Sequence, residues 1–253
     1  MKSFLRQSTR WMLNRCYSAG WEIRRLSAPW PTGEADRGKV ISGRDDVVAD
    51  FVERYPFDTV LDVGCGRGSC FRGLASKGAR VSGIDILPAA QVNTATGARP
   101  AEFMCGNVLD VEPNRQFDAV IASHVIEHMP DTERFLRRFF GWLRPGGAFC
   151  LIWPPPKSGV VGGHVHLFNH GLMLYHLVRI GIDCRTVRMV QAGYSLAVMG
   201  RHERFDVPPL IYDEGEIALL AEYFPFPVQE NFDGSSPPGL VRLDGLEPTG
   251  NGH

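Results

Sequence analysis

The feature that most constrains this chain is the sequence Thr59-Val-Leu-Asp-Val-Gly-Cys-Gly-Arg-Gly68. A short apolar run carries one acid, Asp62, and then breaks into glycines at every second position, after which a helical pattern begins. Glycine lets the backbone adopt positive φ, and a helix that starts behind such a turn presents bare N–H groups to a ligand. The stretch therefore predicts a strand, a ligand-binding turn and a helix, in that order.

A second acid strengthens this interpretation. Asp85 ends the apolar run 80–86, about twenty residues after the turn, where an acid at the tip of the next strand can accept both ribose hydroxyls of a nucleoside. The glycine spacing is G-x-G-x-G, because Ser69 stands where the dinucleotide fingerprint G-x-G-x-x-G requires its third glycine. The pattern thus favours a nucleoside ligand other than a dinucleotide.

Strand-like and helix-like segments alternate along the middle of the chain, which predicts a parallel, doubly wound α/β sheet. A closing hairpin is expected from the last two apolar runs, which a glycine-containing turn joins. The predicted strands are 59–64, 80–86, 102–106, 117–123, 147–153, 184–190 and 194–200, and the predicted helices are 45–54, 68–77, 88–96, 131–143, 169–180 and 213–224.

Three motifs in order, Val60–Gly68, Phe117–Asp131 and Leu143–Ala148, resemble the Rossmann-like (class I) S-adenosylmethionine (SAM)-dependent methyltransferases. The resemblance covers roughly residues 45–202. It implies an α/β fold with a seven-stranded, mostly parallel sheet that is closed by a C-terminal antiparallel hairpin strand. It also implies SAM as the cofactor.

The resemblance implies a cofactor site at the carboxyl ends of the strands. The glycines would follow the methionine part of SAM, Asp62 its ammonium, Asp85 the ribose and Ile86 the adenine. Asn107 stands where the family often has Asp for the adenine amino group, and a simple turn residue is the alternative. The expected cofactor-binding residues are Asp62, Gly64, Cys65, Gly66, Gly68, Asp85, Ile86, Asn107, Val108 and Ser123.

Three histidines are the candidate catalytic residues. His124 closes the fourth strand, facing the expected methyl donor, and an imidazole near neutrality can remove a hydroxyl proton. His164 and His166 follow a proline run that must leave the sheet, and their alternation could point both rings to one side. Acceptor binding, general-base catalysis, pinning of the loop and metal ligation are the alternatives for this pair. No metal ligand is assigned, because no cysteine or carboxylate stands near the pair in the sequence.

The motifs predict a SAM-dependent methyltransferase. The segment from Trp153 to His170 resembles, over that segment alone, methyltransferases of bacterial polysaccharide and lipid-glycan synthesis. This resemblance implies O-methylation of a sugar hydroxyl on a glycan or lipid-linked glycan. The alternatives are O-methylation of a small metabolite such as a quinone or phenol, and a non-catalytic SAM-binding module that supports a partner.

Composition and charge restrict the kinds of partner and the cellular compartment that we expect for this protein. A formal net charge of −1 argues against a broad basic surface for nucleic acid. The six cysteines are scattered without a disulfide or zinc pattern, and the chain shows neither a membrane-spanning apolar run nor a secretory signal. We therefore expect a cytoplasmic protein with a small-molecule or glycan acceptor and no nucleic-acid partner. The sequence does not indicate an oligomeric state.

The two ends of the chain differ from its middle. Residues 1–27 alternate basic and apolar side chains, a pattern of an amphipathic helix that either packs on the domain or contacts the inner face of the membrane. The predicted organisation is an N-terminal helix and linker at 1–44, the methyltransferase domain at 45–205 and an extension at 206–253. Disorder is expected for about the last 23 residues, which are rich in glycine and proline.

Overall fold

The computed structural model describes residues 43–88, 99–112, 115–157, 159–211, 215–228 and 241–243, all within one compact unit that spans Ile41–His253. The predicted N-terminal helix, nearly all of the linker and nearly all of the predicted helix 88–96 lie outside the described residues.

The described elements alternate between strands and helices, as predicted. The strands are β1 (Thr59–Val63), β2 (Arg80–Asp85), β3 (Glu102–Cys105), β4 (Phe117–Ser123), β5 (Leu143–Trp153), β6 (Arg188–Ala192), β7 (Ser195–Arg201) and β8 (Val241–Arg242). The α-helices are α1 (Arg44–Arg54), α2 (Phe71–Leu74), α3 (Thr132–Gly141), α4 (His170–Arg179) and α5 (Glu216–Leu220), with 3₁₀ turns at Ile126–His128 and Ala221–Tyr223.

The strands form a single sheet in the order β3-β2-β1-β4-β5-β7-β6-β8. Strand β7 runs antiparallel to β5 and β6, whereas the neighbouring pairs from β3 to β5 are parallel. The predicted seven-stranded sheet with an antiparallel closing strand is confirmed, and β8 adds a short eighth strand beside β6. The strand order reverses between β1 and β4, which is where open α/β sheets bind ligands.

Helices cover both faces of the sheet and bury two apolar clusters. On one face, α3 and α4 pack over β4 and β5, and α3 buries Phe135, Leu136, Phe139 and Phe140 on one stripe. The Asp131 carboxylate caps α3 by accepting the Arg134 N–H at 2.9 Å. The other face is covered by α1 and α2.

Several predicted boundaries are wrong for local reasons. Helix α2 is a single short helix instead of 68–77, because the chain before it is occupied by the glycine turn. The hairpin strands begin later than predicted, because residues 184–187 form a turn in which the Val187 N–H donates to the Cys184 carbonyl at 3.2 Å. Strand β5 begins at Leu143 and contains an irregularity before Ala148.

Disorder of the last 23 residues stays a prediction. Within them the structure describes 241–243, where β8 pairs with Val190 and Gln191 and the Leu243 N–H donates to the Gln191 carbonyl at 2.9 Å. Phe224 and Phe226 of the extension are buried in the same cluster as α3 and α4. Part of the extension therefore packs into the domain core. Within the described residues, no helix has the length and apolar character that a bilayer crossing requires.

Substitution of Gly64 by alanine should destabilise the fold strongly. Gly64 has φ +69°, and a Cβ there would lie 2.3 Å from Cγ2 of Val125, a stiff branched side chain. We expect the left-handed backbone alone to cost about 1–2 kcal/mol and the overlap to add about 1–3 kcal/mol. Urea denaturation measures the free energy of unfolding. The matched control is Gly78→Ala, which has φ +89° and open space around its Cβ. Equal losses in both variants would contradict the close approach of Val125.

Candidate active site

The glycine turn is held to the end of β2 by backbone hydrogen bonds. The N–H groups of Gly64 and Cys65 donate to the Ile84 carbonyl at 2.8 and 3.1 Å, and the Gly66 N–H donates to Oδ2 of Asp85 at 2.7 Å. A Cβ on Gly66 would meet nothing within 4 Å. The turn is therefore fixed on its inner side and open on its outer side, where a ligand can approach the backbone.

Asp85 is the acid at the tip of β2, and its position is well determined. Besides the bond from Gly66, Oδ1 accepts the Leu87 N–H at 2.9 Å. Each carboxylate oxygen keeps further lone pairs for a hydroxyl donor. The next side chain, Ile86, is 72% exposed although it is large and apolar, so it offers a flat apolar contact beside the acid.

Asp62 is a buried acid directly beneath the turn. It is 1% exposed, and among the described residues no group donates a hydrogen bond to its Oδ2. Burial, reinforced by the negative charge of Asp85 and opposed by Arg44, raises the pKa of Asp62 to about 8. A buried carboxyl in this state lacks a cationic partner, and an ammonium group at the turn would supply one.

The other residues expected at this site occupy the same edge of the sheet. Val108 is buried, Ser123 is the last residue of β4, and Cys65 is buried so that the pKa of its thiol is raised. Asn107 follows β3, and its Oδ1 accepts the Leu109 N–H at 2.9 Å. The amide oxygen of Asn107 thus caps a turn, the alternative that the sequence left open, and its role toward adenine stays a prediction.

His124 lies immediately after β4 in a strained conformation. Its φ is +56°, and it is the sole non-glycine residue with positive φ in the described ranges. Its backbone N–H donates to the Ile152 carbonyl at 2.9 Å. Non-glycine residues in the left-handed region cluster at functional sites, because the surrounding structure must hold them there.

The His124 ring lies between an acid and a hydroxyl. Nδ1 is 3.4 Å from Oε1 of Glu127, and Nε2 is 3.4 Å from Oγ of Ser195 at the start of β7. The Tyr194 ring lies parallel to the imidazole, with the ring centroids 6.4 Å apart, and Nζ of Lys157 lies 4.2 Å from the centre of that Tyr194 ring. Sequence reasoning missed Ser195 and Tyr194, because only the antiparallel return of β7 brings them to this edge.

The loop after β5 is fastened to the 3₁₀ turn that follows His124. The N–H groups of Val165 and His166 donate to the Glu127 carbonyl at 2.8 and 3.3 Å. His164 packs edge-on against His128, with ring centroids 4.8 Å apart, and burial lowers the pKa of His164. His166 instead has its Nε2 3.3 Å from the Pro130 carbonyl oxygen. The structure therefore brings His164 toward His124 and Glu127 and gives His166 a different partner.

Comparisons with known proteins agree with this geometry. Residues 61–151 match the family described as "Methyltransferase domain", and this match contains the glycine turn, Asp85 and His124. Residues 61–151 therefore form a methyltransferase domain, and SAM as its cofactor is confirmed. The buried Asp62, the open side of the turn at Gly66 and the exposed Ile86 fit the ammonium, the methionine backbone and the adenine of SAM.

Curated relatives of the methyltransferase domain include two ubiquinone biosynthesis O-methyltransferases. The one from Chromobacterium violaceum is 36% identical over 107 residues, which are 39% of this chain and 46% of the relative. The one from Bradyrhizobium diazoefficiens is 35% identical over 152 residues, which are 53% of this chain and 60% of the relative. The chain thus spans about half of the length of the curated relatives that it matches.

Solved structures share the fold at low sequence identity. The Burkholderia thailandensis 1,6-didemethyltoxoflavin-N1-methyltransferase is 20% identical with a TM-score of 0.52, over 78% of this chain and 88% of its own. Human N-acetylserotonin methyltransferase, solved in complex with SAM, is 16% identical with a TM-score of 0.53, over 64% of this chain and 52% of its own. These likenesses establish the fold of the methyltransferase domain.

Substitution of Asp62 by asparagine should change how stability depends on pH. The folded pKa of about 8 lies above the usual aspartate value of 3.8, so between these values the folded state holds a proton that the unfolded state has lost. Wild-type stability must then fall as pH rises through this window, by at most about 1.4 kcal/mol per pH unit. Asp62→Asn removes that loss, so its advantage over wild type in urea denaturation should grow from pH 5 to pH 8.

The control for Asp62→Asn is Asp46→Asn, because Asp46 is an exposed residue of α1. It should keep the pH dependence of the wild type. Asp62→Asn should also weaken SAM binding in calorimetry, since the neutral amide cannot pair with the ammonium. Parallel pH profiles for wild type and Asp62→Asn would contradict the raised pKa of Asp62.

Proposed function

We propose that the protein transfers the methyl group of SAM to a hydroxyl of a small aromatic acceptor, such as a phenol or a hydroxylated quinone precursor. The observation that carries the proposal is the His124 ring, which faces the Glu127 carboxylate with one nitrogen while its other nitrogen is directed to a hydroxyl. This arrangement suits a base that removes a proton from an acceptor oxygen.

His124 is next to the donor end of the cofactor site. Its neighbour Val125 packs directly against Gly64, so the chain after β4 follows the surface of the glycine turn. SAM supplies an electrophilic methyl group, and displacement onto oxygen requires an acceptor that is held close and in line. The protein's contribution is then to hold the acceptor at the end of β4 and to receive its proton.

The chemistry of His124 favours a phenolic hydroxyl over a sugar hydroxyl. With Nδ1 toward the Glu127 carboxylate, Nε2 can accept a proton, and the carboxylate stabilises the imidazolium that forms. A phenol ionises with a pKa near 10, so an imidazole base can take its proton as the methyl group is transferred. A sugar hydroxyl is a much weaker acid, so the same base would assist it less. Ser195 lies at 3.4 Å, a long contact that an acceptor hydroxyl can replace.

The surroundings of His124 also suit an aromatic ring. Tyr194 lies parallel to the imidazole. The loop that carries His164 also exposes the apolar side chains of Val165 and Leu167. The curated relatives are named for ubiquinone biosynthesis, which supports the quinone or phenol alternative over the glycan acceptor that the segment after β5 suggested. A sugar acceptor has no comparable support among these relatives.

The test is turnover with methyl-labelled SAM and a panel of acceptors: a catechol, a polyhydroxylated benzene with an apolar tail, and free sugars. The phenols should be methylated and the sugars should not. His124→Asn should lower the turnover of the phenols by about 100-fold or more while SAM binding is retained. Asparagine is chosen because it tolerates the left-handed backbone of His124.

The matched control for His124→Asn is His176→Asn, on α4 against Phe168 and away from the donor turn. It should keep the wild-type turnover. Methylation of the sugars alone would favour the glycan acceptor over the phenol. SAM binding without turnover of any acceptor would favour the non-catalytic module.

A further inference from the structure

Glu127 is buried in a way that the proposed reaction does not fully explain. Its side chain is 1% exposed, and within the described part of the chain no donor makes a hydrogen bond to either carboxylate oxygen. An ionised carboxylate without such partners is costly to bury, by several kcal/mol as an order of magnitude. A buried group of this kind calls for a counter-charge, and a bound cation would supply it.

The groups that face Glu127 are imidazoles. Its Oε1 lies 3.4 Å from Nδ1 of His124 and 3.9 Å from Nε2 of His128. Glu127, His128 and His164 each offer a ligand atom, and these three atoms lie within 4.8 Å of one another. Three metal-ligating side chains from two separate segments of the chain thus converge on one point.

The orientation of His128 is fixed by the loop after β5. Its Nδ1 lies 2.8 Å from the Gly163 carbonyl oxygen, and a carbonyl can only accept, so Nδ1 carries the proton. The lone pair of Nε2 is therefore free and directed toward Glu127. A hydrogen bond from one ring nitrogen to a carbonyl is the arrangement that orients metal-binding histidines in proteins.

The same contact explains why residue 163 is a glycine. Its φ is +83°, and a Cβ there would lie 3.2 Å from Nδ1 of His128. The next residue is His164, and the two residues after it are held by the Glu127 carbonyl. The backbone of the turn and the backbone of the loop thus hold the three side chains together before any ligand binds.

We propose that Glu127, His128 and His164 form a binding site for a divalent transition metal ion, with zinc as the reference ion. Two imidazoles and one carboxylate are a ligand set that zinc and its neighbours in the first transition row prefer, and such a set leaves coordination positions open. The site links the turn after β4 to the loop after β5, and its charge neutralises the buried carboxylate of Glu127.

The three ligand atoms must move slightly closer together when a metal ion binds. Zinc–nitrogen and zinc–oxygen bonds of about 2.1 Å place tetrahedral ligand atoms about 3.4 Å apart. The corresponding distance is 3.9 Å between Glu127 and His128, and all three ligand atoms lie within 4.8 Å of one another. His164 can supply the movement, because its side chain is only partly buried. The His128 side chain is 40% exposed, so an ion has a path from solvent.

Metal binding can be measured without SAM or any acceptor. Purified, metal-stripped protein is dialysed against Zn²⁺, and Co²⁺ is added separately to record the visible absorption that reports the ligand field of bound cobalt. We expect one strongly bound ion. Glu127→Gln and His164→Asn should each weaken the affinity by more than the 10–100-fold that loss of an outer-shell partner typically costs.

Two controls identify the ligands. His166→Asn removes a histidine from the same loop that lies outside the cluster, and Cys105→Ser removes the exposed thiol. Both should bind zinc as the wild type does. Zinc should raise the melting temperature of wild type and not that of Glu127→Gln. The melting curves also check that the variants remain folded.

The proposed site is wrong if wild-type protein binds no zinc, or if Glu127→Gln and His164→Asn bind it as tightly as wild type does. Loss of binding in Cys105→Ser alone would also contradict it. The methylation test is separate: phenol methylation by metal-free protein together with absent zinc binding overturns the metal site and leaves the proposed function standing. Tight zinc binding without methylation would overturn the proposed function and leave the metal site standing.

Discussion

The hydrogen bonds that tie the glycine turn to the end of β2 determine the rest of the site. Because the N–H groups of Gly64, Cys65 and Gly66 are satisfied by Ile84 and Asp85, the turn stays folded over the buried Asp62. The same turn presses against Val125, which places His124 at the adjacent edge. Cofactor acids and candidate base are thus positioned by one backbone arrangement at the point where the strand order reverses.

Two buried carboxyl groups at this edge have different surroundings and different proposed uses. Asp62 lies beside another acid, and burial keeps it protonated up to a pKa of about 8 until a cation arrives. Glu127 is surrounded by histidines, so positive charge is available from an imidazolium or from a metal ion. The first acid fits recognition of the cofactor, and the second fits chemistry on the acceptor side.

The fold and the cofactor side of the site could be predicted from the sequence, because their signals are local. A strand, a glycine turn and an acid at the next strand tip are adjacent in the chain, and the α3 stripe follows a helical period. The acceptor side could not be predicted in the same way. Ser195 and Tyr194 reach His124 through the antiparallel return of β7, and Glu127 meets His164 through a loop contact between residues distant in sequence.

The ligands of the proposed metal site could not be predicted from the sequence either. The sequence offered His164 and His166 as a pair without a carboxylate, whereas the structure separates them and supplies Glu127 and His128 instead. The glycan acceptor was also inferred from a single loop, whereas the relatives are named for ubiquinone biosynthesis, which supports the proposed quinone or phenol acceptor. Contacts between distant segments explain the first point, and the names of the relatives bear on the second.

The most direct measurement is the identity of the atom that receives the methyl group. The protein would be incubated with SAM carrying a ¹³C-labelled methyl group and a catechol with an apolar tail, and the product would be analysed by NMR. We expect one new methyl signal that couples to an aromatic carbon through oxygen, and its absence when His124 is replaced by asparagine. A label on a ring carbon, or an undiminished signal from His124→Asn, would contradict a phenolic O-methyltransferase that uses His124 as its base.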